Sequence, residues 1–238
     1  MQRSSLRRPF WTASAALLIG CSGVTIDFQY LQDSLPPQVT AEIEERGFYL
    51  ARAGDLEAVY YLALVDSAAD QVRVGYFLVW PGEYPDFGNH YPARAGQVVI
   101  QLLTPLAYTN WLYLPGTGGL QRLLYGPGDV EGVAVLFTWE DRRLIRIESV
   151  GFEQPGHEAA VIPDPALPWS LADVTHNNAP SLVVASWNHL FLPPDTTSSP
   201  VRMEVSPFPP DEWRRLKMHR RRAEVAKLIL LAGRAHLR

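Results

Sequence analysis

Asp129 and Glu131 are the side chains of this sequence best spaced to do chemistry together. They follow a turn rich in glycine and proline and open an apolar stretch of strand length. Residues two apart in a strand point to the same face, so the two carboxylates are predicted to lie side by side. Buried neighbouring carboxylates are costly unless a cation, an arginine or a shared proton neutralises them. The pair is therefore a candidate cation-binding site.

Two histidines further along the chain, His157 and His189, could join this pair. Carboxylates and imidazoles together are ligands of Mg²⁺, Ca²⁺, Mn²⁺ and Zn²⁺. We predict that Asp129, Glu131 and His189 hold a divalent cation, and that His157 would then serve as general acid or base. The fold must bring the histidines to the acids. The alternative is that His157 is a solvated loop residue and that His189 is a satisfied histidine at the edge of the core.

A structural role is also open for the two acids. Asp129 could cap the turn that follows Gly128. Glu131 could pair across a hairpin with Arg143 or Arg146, because opposite charges on neighbouring strands attract. In that case the carboxylates would stabilise the fold and bind nothing.

Short apolar strands are the elements that must position these residues. A short helix is predicted to open near residue 34 and to end at Gly47, and residues 151–180 are predicted to form a long loop. Regularly spaced strands without alternating helices predict a mainly β fold, an antiparallel β-sandwich with a short N-terminal helix and a basic C-terminal helix. The predicted strands are 56–65, 71–80, 98–103, 130–139, 144–150 and 180–189.

The N-terminus has the features of an export signal. Three arginines precede an apolar stretch, too short to span a bilayer, that ends in Leu18-Ile19-Gly20-Cys21. This ending resembles the lipobox of bacterial lipoproteins, in which the cysteine is lipidated and becomes the first residue of the mature chain. The resemblance implies several acyl chains on Cys21, which would anchor the protein stably in a membrane. The alternative is an uncleaved anchor helix with an ordinary thiol.

The predicted organisation follows from this signal. Residues 1–20 are a lipoprotein signal peptide, residues 21–33 a lipidated tether, and residues 34–205 the β-sandwich domain. Residues 206–238 form a Pro-rich spacer and a basic C-terminal helix. We expect a lipid-anchored protein of the cell membrane or outer membrane that faces the periplasm.

The formal net charge of -4 hides an uneven distribution. Residues 211–238 hold nine Lys and Arg against three acids, so the rest of the chain is strongly acidic. An acidic body argues against a nucleic acid as the main ligand. The basic tail could dock on that body, lie on anionic lipid, or contact a partner protein.

The stretch Gly128-Asp129-Val130-Glu131 resembles the Gly-Asp-Trp-Glu motif of Vps62-type proteins, and more distantly the His-Asp-Trp-Glu motif of NPP1-type necrosis-inducing proteins. Gly156-His157 and the segment 183–189 stand where two later segments of Vps62-type sequences would lie. Val130 replaces the tryptophan of the motif, and Gly126-Pro127 stands where a histidine often precedes it. The resemblance implies a β-sandwich with a polar or metal-binding cleft, without a settled reaction.

These features together predict a lipid-anchored lipoprotein of a bacterial cell envelope. We expect a non-enzymatic binding or interaction protein with a divalent-ion site. The alternative is a metal-dependent hydrolase acting on a lipid or glycan of the envelope. The sequence contains no Gly-x-Ser-x-Gly elbow, phosphate-binding glycine loop or paired-cysteine zinc pattern.

Overall fold

The computed structural model describes residues 35–66, 69–81, 128–155, 158–186 and 189–218. Several predicted features lie outside these ranges: the signal peptide, Cys21, the tether, the strand 98–103, His157 and the part of the basic helix after residue 218. Within these ranges no helix has both the length and the apolar character that crossing a membrane requires.

Two sheets dominate the described part of the chain. The strands are β1 (Phe48–Ala51), β2 (Ala58–Asp66), β3 (Gln71–Trp80), β4 (Asp129–Glu140), β5 (Arg143–Gln154), β6 (Glu158–Ile162), β7 (Thr175–His176), β8 (Ala179–Val184), β9 (Phe191–Leu192), β10 (Val201–Met203) and β11 (Ser206–Pro207). One sheet has the order β11-β2-β3-β4-β5-β6, and the other has the order β10-β1-β8-β7 with β9 also paired to β8. Most pairings are antiparallel, while β1 with β8 and β11 with β2 are parallel. The predicted mainly β sandwich is confirmed.

The main core lies between the two sheets, because alternate residues of each strand point inward. On β3, the even-numbered residues from Val72 to Trp80 belong to this core, whereas Phe77 and Val79 face outward. On β4 the inward residues are odd-numbered, and Val133 and Val135 are among them. The inner face of β4 therefore begins with two acids and continues with apolar side chains.

A short helix, α1 (Pro37–Arg46), closes one side of the core. Val39 and Ile43 are four residues apart, so they lie on one face of the helix and are fully buried. Gly47 ends the helix at a φ of 69°, and its N–H donates to the carbonyl of Ile43 at 3.0 Å. The predicted helix end at Gly47 is confirmed.

The prediction of a long loop over residues 151–180 is wrong. Strand β5 continues to Gln154, β6 follows at Glu158–Ile162, and a 3-10 helix occupies Leu171–Asp173. Strand β6 is a short edge strand, and Val161 within it is 52% exposed. A half-buried strand is recognised by alternating apolar and polar residues. The exposed Val161 interrupts this alternation, so the sequence pattern does not predict β6.

The segment predicted as a Pro-rich spacer packs onto the sandwich. After β11, Phe208 is fully buried and the helix α2 (Pro210–Arg215) follows. Phe208, Leu216 and Met218 cover the outward face of the six-stranded sheet. We call this second core the outer cluster; its members are Leu62, Leu64, Phe77, Val79, Val130, Phe208, Leu216 and Met218.

Candidate functional site

The site begins where β3 ends and β4 starts. Trp80, the last residue of β3, pairs with Asp129, the first residue of β4, and Leu78 pairs with Glu131. Asp129 is 6% exposed and Glu131 is 7% exposed. Both lie at odd positions of β4, as do the core residues that follow, so the two acids share its inward face as predicted.

A glycine is required immediately before the site. Gly128 has a φ of +80°, in the left-handed region that favours glycine. A Cβ atom at this position would lie 2.6 Å from the carbonyl oxygen of Trp80. The close approach of these two backbones fixes the position of Asp129 relative to Trp80.

His189 reaches the site from the opposite sheet, on the connection between β8 and β9. Its backbone N–H donates to the carbonyl of Ser186 at 3.1 Å. The Ser186 hydroxyl oxygen accepts a second bond, from the N–H of Leu190, at 3.0 Å. His189 itself has a φ of 56°, so it sits at the left-handed corner of this tight turn. The turn directs the imidazole inward, where His189 is 3% exposed.

Asp129 and His189 form a direct buried hydrogen bond. The Oδ2 atom of Asp129 lies 2.7 Å from Nδ1 of His189. This length is typical of bonds in which a partner is charged. An ionised carboxylate only accepts hydrogen bonds, so Nδ1 carries the proton when Asp129 is ionised. The bond joins the two sheets of the sandwich at one end.

Trp80 supports the imidazole from its face. The rings of Trp80 and His189 are stacked, with centroids 4.2 Å apart and planes 5° apart. The indole N–H of Trp80 donates to the carbonyl of Ala53 at 2.9 Å. Phe191 of β9 contacts the same indole at a centroid distance of 6.4 Å. Contacts with Ala53 and Phe191 thus restrain the indole of Trp80, and the indole in turn restrains the imidazole of His189.

The three predicted metal ligands do not come together as a metal-binding set. Among the described residues no group of three His, Cys, Asp or Glu side chains is placed to hold a metal ion. The Nδ1 atom of His189 is instead engaged with Asp129. The donor types fit a hard cation, which takes carboxylate oxygens and keeps several waters. In that fit Asp129 and Glu131 would be the ligands, and His189 would orient Asp129.

The alternative pairing of Glu131 with Arg143 or Arg146 is wrong. Along the β4–β5 hairpin Arg143 pairs with Glu140, nine positions from Glu131. At about 3.3 Å per residue in a strand, these nine positions place Arg143 about 30 Å from Glu131. The two arginines bind elsewhere, Arg143 to Glu42 and Arg146 to Glu148, each at 3.7 Å.

The sequence interpretation missed Trp80. Its role could have been inferred from two predicted strands, because an antiparallel pair of 71–80 with 130–139 sets Trp80 beside Asp129. No local pattern, however, places His189 against Asp129, which is 60 residues away in the chain. The role predicted for His157 stays a prediction, since that residue lies outside the described ranges.

Comparison with known proteins adds little to this geometry. No family model matches the chain, and no curated protein matches it. One solved structure, described as NLPPya in complex with mannosamine, aligns with 77% of this chain and 81% of that chain. The two share 11% sequence identity, with a TM-score of 0.38. A likeness this weak assigns neither a fold nor a ligand to this chain.

Proposed function

We propose that this chain is a lipid-anchored lipoprotein of a bacterial cell envelope that binds a cationic ligand at the Asp129 end of its sandwich without chemical turnover. The observation that supports the binding site is the buried Asp129–His189 hydrogen bond, with Glu131 on the same strand face. The lipobox-like Leu18-Ile19-Gly20-Cys21 supports the anchor.

Burying Asp129, Glu131 and His189 at this end of the core costs free energy. The inward face of β4 is otherwise built of apolar residues such as Val133 and Val135. Burying charged or polar groups in a core costs more than burying apolar ones of similar volume. A cluster of titratable groups that breaks the core pattern is a candidate functional site for this reason.

The charge of the cluster favours a cation. Asp129 and Glu131 bring two carboxylates to one strand face, opposite Trp80 and Leu78 of the paired strand. A divalent ion that keeps part of its water shell is a ligand of suitable size and charge. His189, bonded through Nδ1, would hold one carboxylate in the orientation needed.

A metal-dependent hydrolase acting on a lipid or glycan is the second candidate. A carboxylate that orients a histidine is also the arrangement of a general base. Both candidates require a bound metal ion. Release of product from envelope lipids or glycans would distinguish the hydrolase from the binding protein. Binding without turnover favours the non-enzymatic function.

Membrane fractionation tests the anchor. The full chain is expressed in a bacterium and the membranes are washed with alkaline carbonate, which removes peripheral proteins. Cys21→Ser should move the protein to the soluble fraction and abolish the lipid mass increment, while the neighbouring Ser22→Ala should change neither. Unchanged retention of Cys21→Ser would contradict lipid anchoring.

Metal analysis tests the site. The detergent-purified full chain is incubated with Mg²⁺, Ca²⁺, Mn²⁺ or Zn²⁺, desalted, and analysed for bound metal. Asp129→Asn/Glu131→Gln should lose bound metal, while Asp195→Asn/Glu148→Gln, which neutralises two acids elsewhere, should keep it. The absence of metal from the wild-type protein in every case would contradict the cation site.

A further inference from the structure

We infer that Trp80 is a positioning residue that fixes the ring plane and the tautomer of His189, so that the imidazole presents an unprotonated Nε2 edge. The inference rests on the proposed function of this site and adds a residue to it. Two independent contacts carry it, the hydrogen bond through Nδ1 and the ring stack.

Each of the two contacts restricts a different motion of the imidazole ring. The hydrogen bond to Asp129 fixes the direction of one ring atom, but it leaves rotation about the line between donor and acceptor. The nearly parallel indole face, 5° from the imidazole plane, removes that rotation. Together the two contacts determine where Nε2 points.

The indole is itself held in place. Trp80 is fully buried, and its N–H is bonded to the carbonyl of Ala53. Its backbone pairs with Asp129 across the β3–β4 ladder. The two supports of His189 therefore come from directly opposed residues of one strand pair, and they cannot shift independently.

The tautomer follows from the same geometry. Ionised Asp129 accepts a hydrogen bond and cannot donate one, so the neutral imidazole carries its proton on Nδ1. The lone pair of the neutral imidazole then lies on Nε2, which is the hydrogen-bond acceptor of the ring. If the stack is lost, the ring can turn away from Asp129 and the two tautomers can exchange.

Selective ¹⁵N-histidine NMR of the detergent-solubilised full chain tests the inference at one fixed pH. His189 is assigned by the loss of its signals in His189→Asn. The wild type should show one tautomer, with Nδ1 at a protonated and Nε2 at an unprotonated resonance position. In Trp80→Leu the two tautomers should exchange, so that both ¹⁵N resonances of His189 move to intermediate positions. Trp80→Phe, which keeps an aromatic face, should restore the separation.

Phe191→Leu is the control for general loss of packing, because Phe191 is fully buried beside the same indole. It should lower the melting temperature and leave the His189 tautomer unchanged. Averaged tautomers in the wild type would overturn the inference. So would an unaltered spectrum in Trp80→Leu, or averaging of equal extent in Phe191→Leu. If Trp80→Leu does not fold, the wild-type and Trp80→Phe spectra decide. In that case, averaging in Trp80→Phe would overturn the inference.

This readout is separate from the test of cation binding. A chain that binds no cation but shows the single tautomer would overturn the proposed ligand and leave the role of Trp80 intact. A chain that binds cations but shows averaged His189 tautomers would overturn the role of Trp80 and leave the proposed ligand intact.

Discussion

The carboxylate of Asp129 and the imidazole of His189 join the two sheets of the sandwich through a buried hydrogen bond of 2.7 Å. One partner opens a central strand of the six-stranded sheet, and the other lies on a turn of the five-stranded sheet. The bond replaces apolar packing at this end of the core. The energetics of this pair should therefore differ from those of an ion pair on the surface.

We predict strong coupling between Asp129 and His189. In a double-mutant cycle, Asp129→Asn and His189→Asn should each cost about 3 kcal/mol, because each leaves a buried polar partner poorly satisfied. Asn tolerates the left-handed backbone of position 189. The double variant should cost less than the sum of the two, by about 1–3 kcal/mol, as measured by urea unfolding.

The surface pair Glu212–Arg215 provides the matched comparison. Its atoms also lie 2.7 Å apart, but the Arg215 side chain is 44% exposed. Exposed pairs couple by about 0–1 kcal/mol. A coupling between Asp129 and His189 no larger than that of the surface pair would contradict the account of a buried bridge.

Gly128→Ala should be strongly destabilising. The new Cβ would meet the Trp80 carbonyl at 2.6 Å in a backbone conformation that disfavours side chains. We expect a loss of about 1–3 kcal/mol, measured by thermal or urea unfolding. Gly151→Ala is the control, since its Cβ would make only ordinary contacts of 3.6 Å or longer. Equal effects of the two changes would show that the turn before Asp129 is not restricted as described.

The outer cluster should contribute to stability through Phe208. This residue is fully buried, and its ring contacts those of Tyr60, Phe77 and Trp213 at centroid distances of 4.8, 5.4 and 5.2 Å. Phe208→Ala should cost about 3–5 kcal/mol in urea unfolding because it leaves a cavity. Val201→Ala, at a position that is 64% exposed, should change stability by less than about 0.5 kcal/mol. A small effect of Phe208→Ala would mean that residues 206–218 are a loose spacer after all.

The loop around Asp195 should show an unusually acidic carboxyl group. Hydrogen bonds from the hydroxyls of Thr197 and Ser198 lower the pKa of Asp195 to about 2 from 3.8. A lowered folded-state pKa gives a contribution to loop stability that is present above pH 3.8 and is lost as the pH falls through about 2. NMR titration of the side-chain carboxyl carbon measures this pKa. Thr197→Val/Ser198→Ala should raise it toward 3.8, and an unchanged value in that variant would contradict the assigned cause.

Much of the six-stranded sheet could be predicted from the sequence. Continuous apolar residues after a turn predict a strand at 71–80, and β3 occupies Gln71–Trp80. The placement of Asp129 and Glu131 on one inward face followed from strand alternation alone. These are local properties, and local properties can be read from one sequence.

The remaining features depend on tertiary contacts. Strand β1 is only four residues long and pairs with β8 in parallel, 132 residues further along the chain at Tyr49 and Ser181. Strand β11 is held by its pairing with β2, and its sequence Ser206–Pro207 has no strand character. Residue type alone predicts His189 as a metal ligand, whereas its contact with Asp129 favours an orienting role. No spacing rule could have distinguished these two roles.

The most direct test of the central claim is calorimetric titration of the detergent-purified full chain with a divalent cation. The wild type is predicted to bind at least one of Mg²⁺, Ca²⁺, Mn²⁺ and Zn²⁺. Asp129→Asn/Glu131→Gln should bind it at least about tenfold more weakly, a difference of about 1.4 kcal/mol. The control Asp195→Asn/Glu148→Gln should bind as the wild type does. If no cation binds the wild type, or if the site variant and the control bind equally, Asp129 and Glu131 are not the binding site.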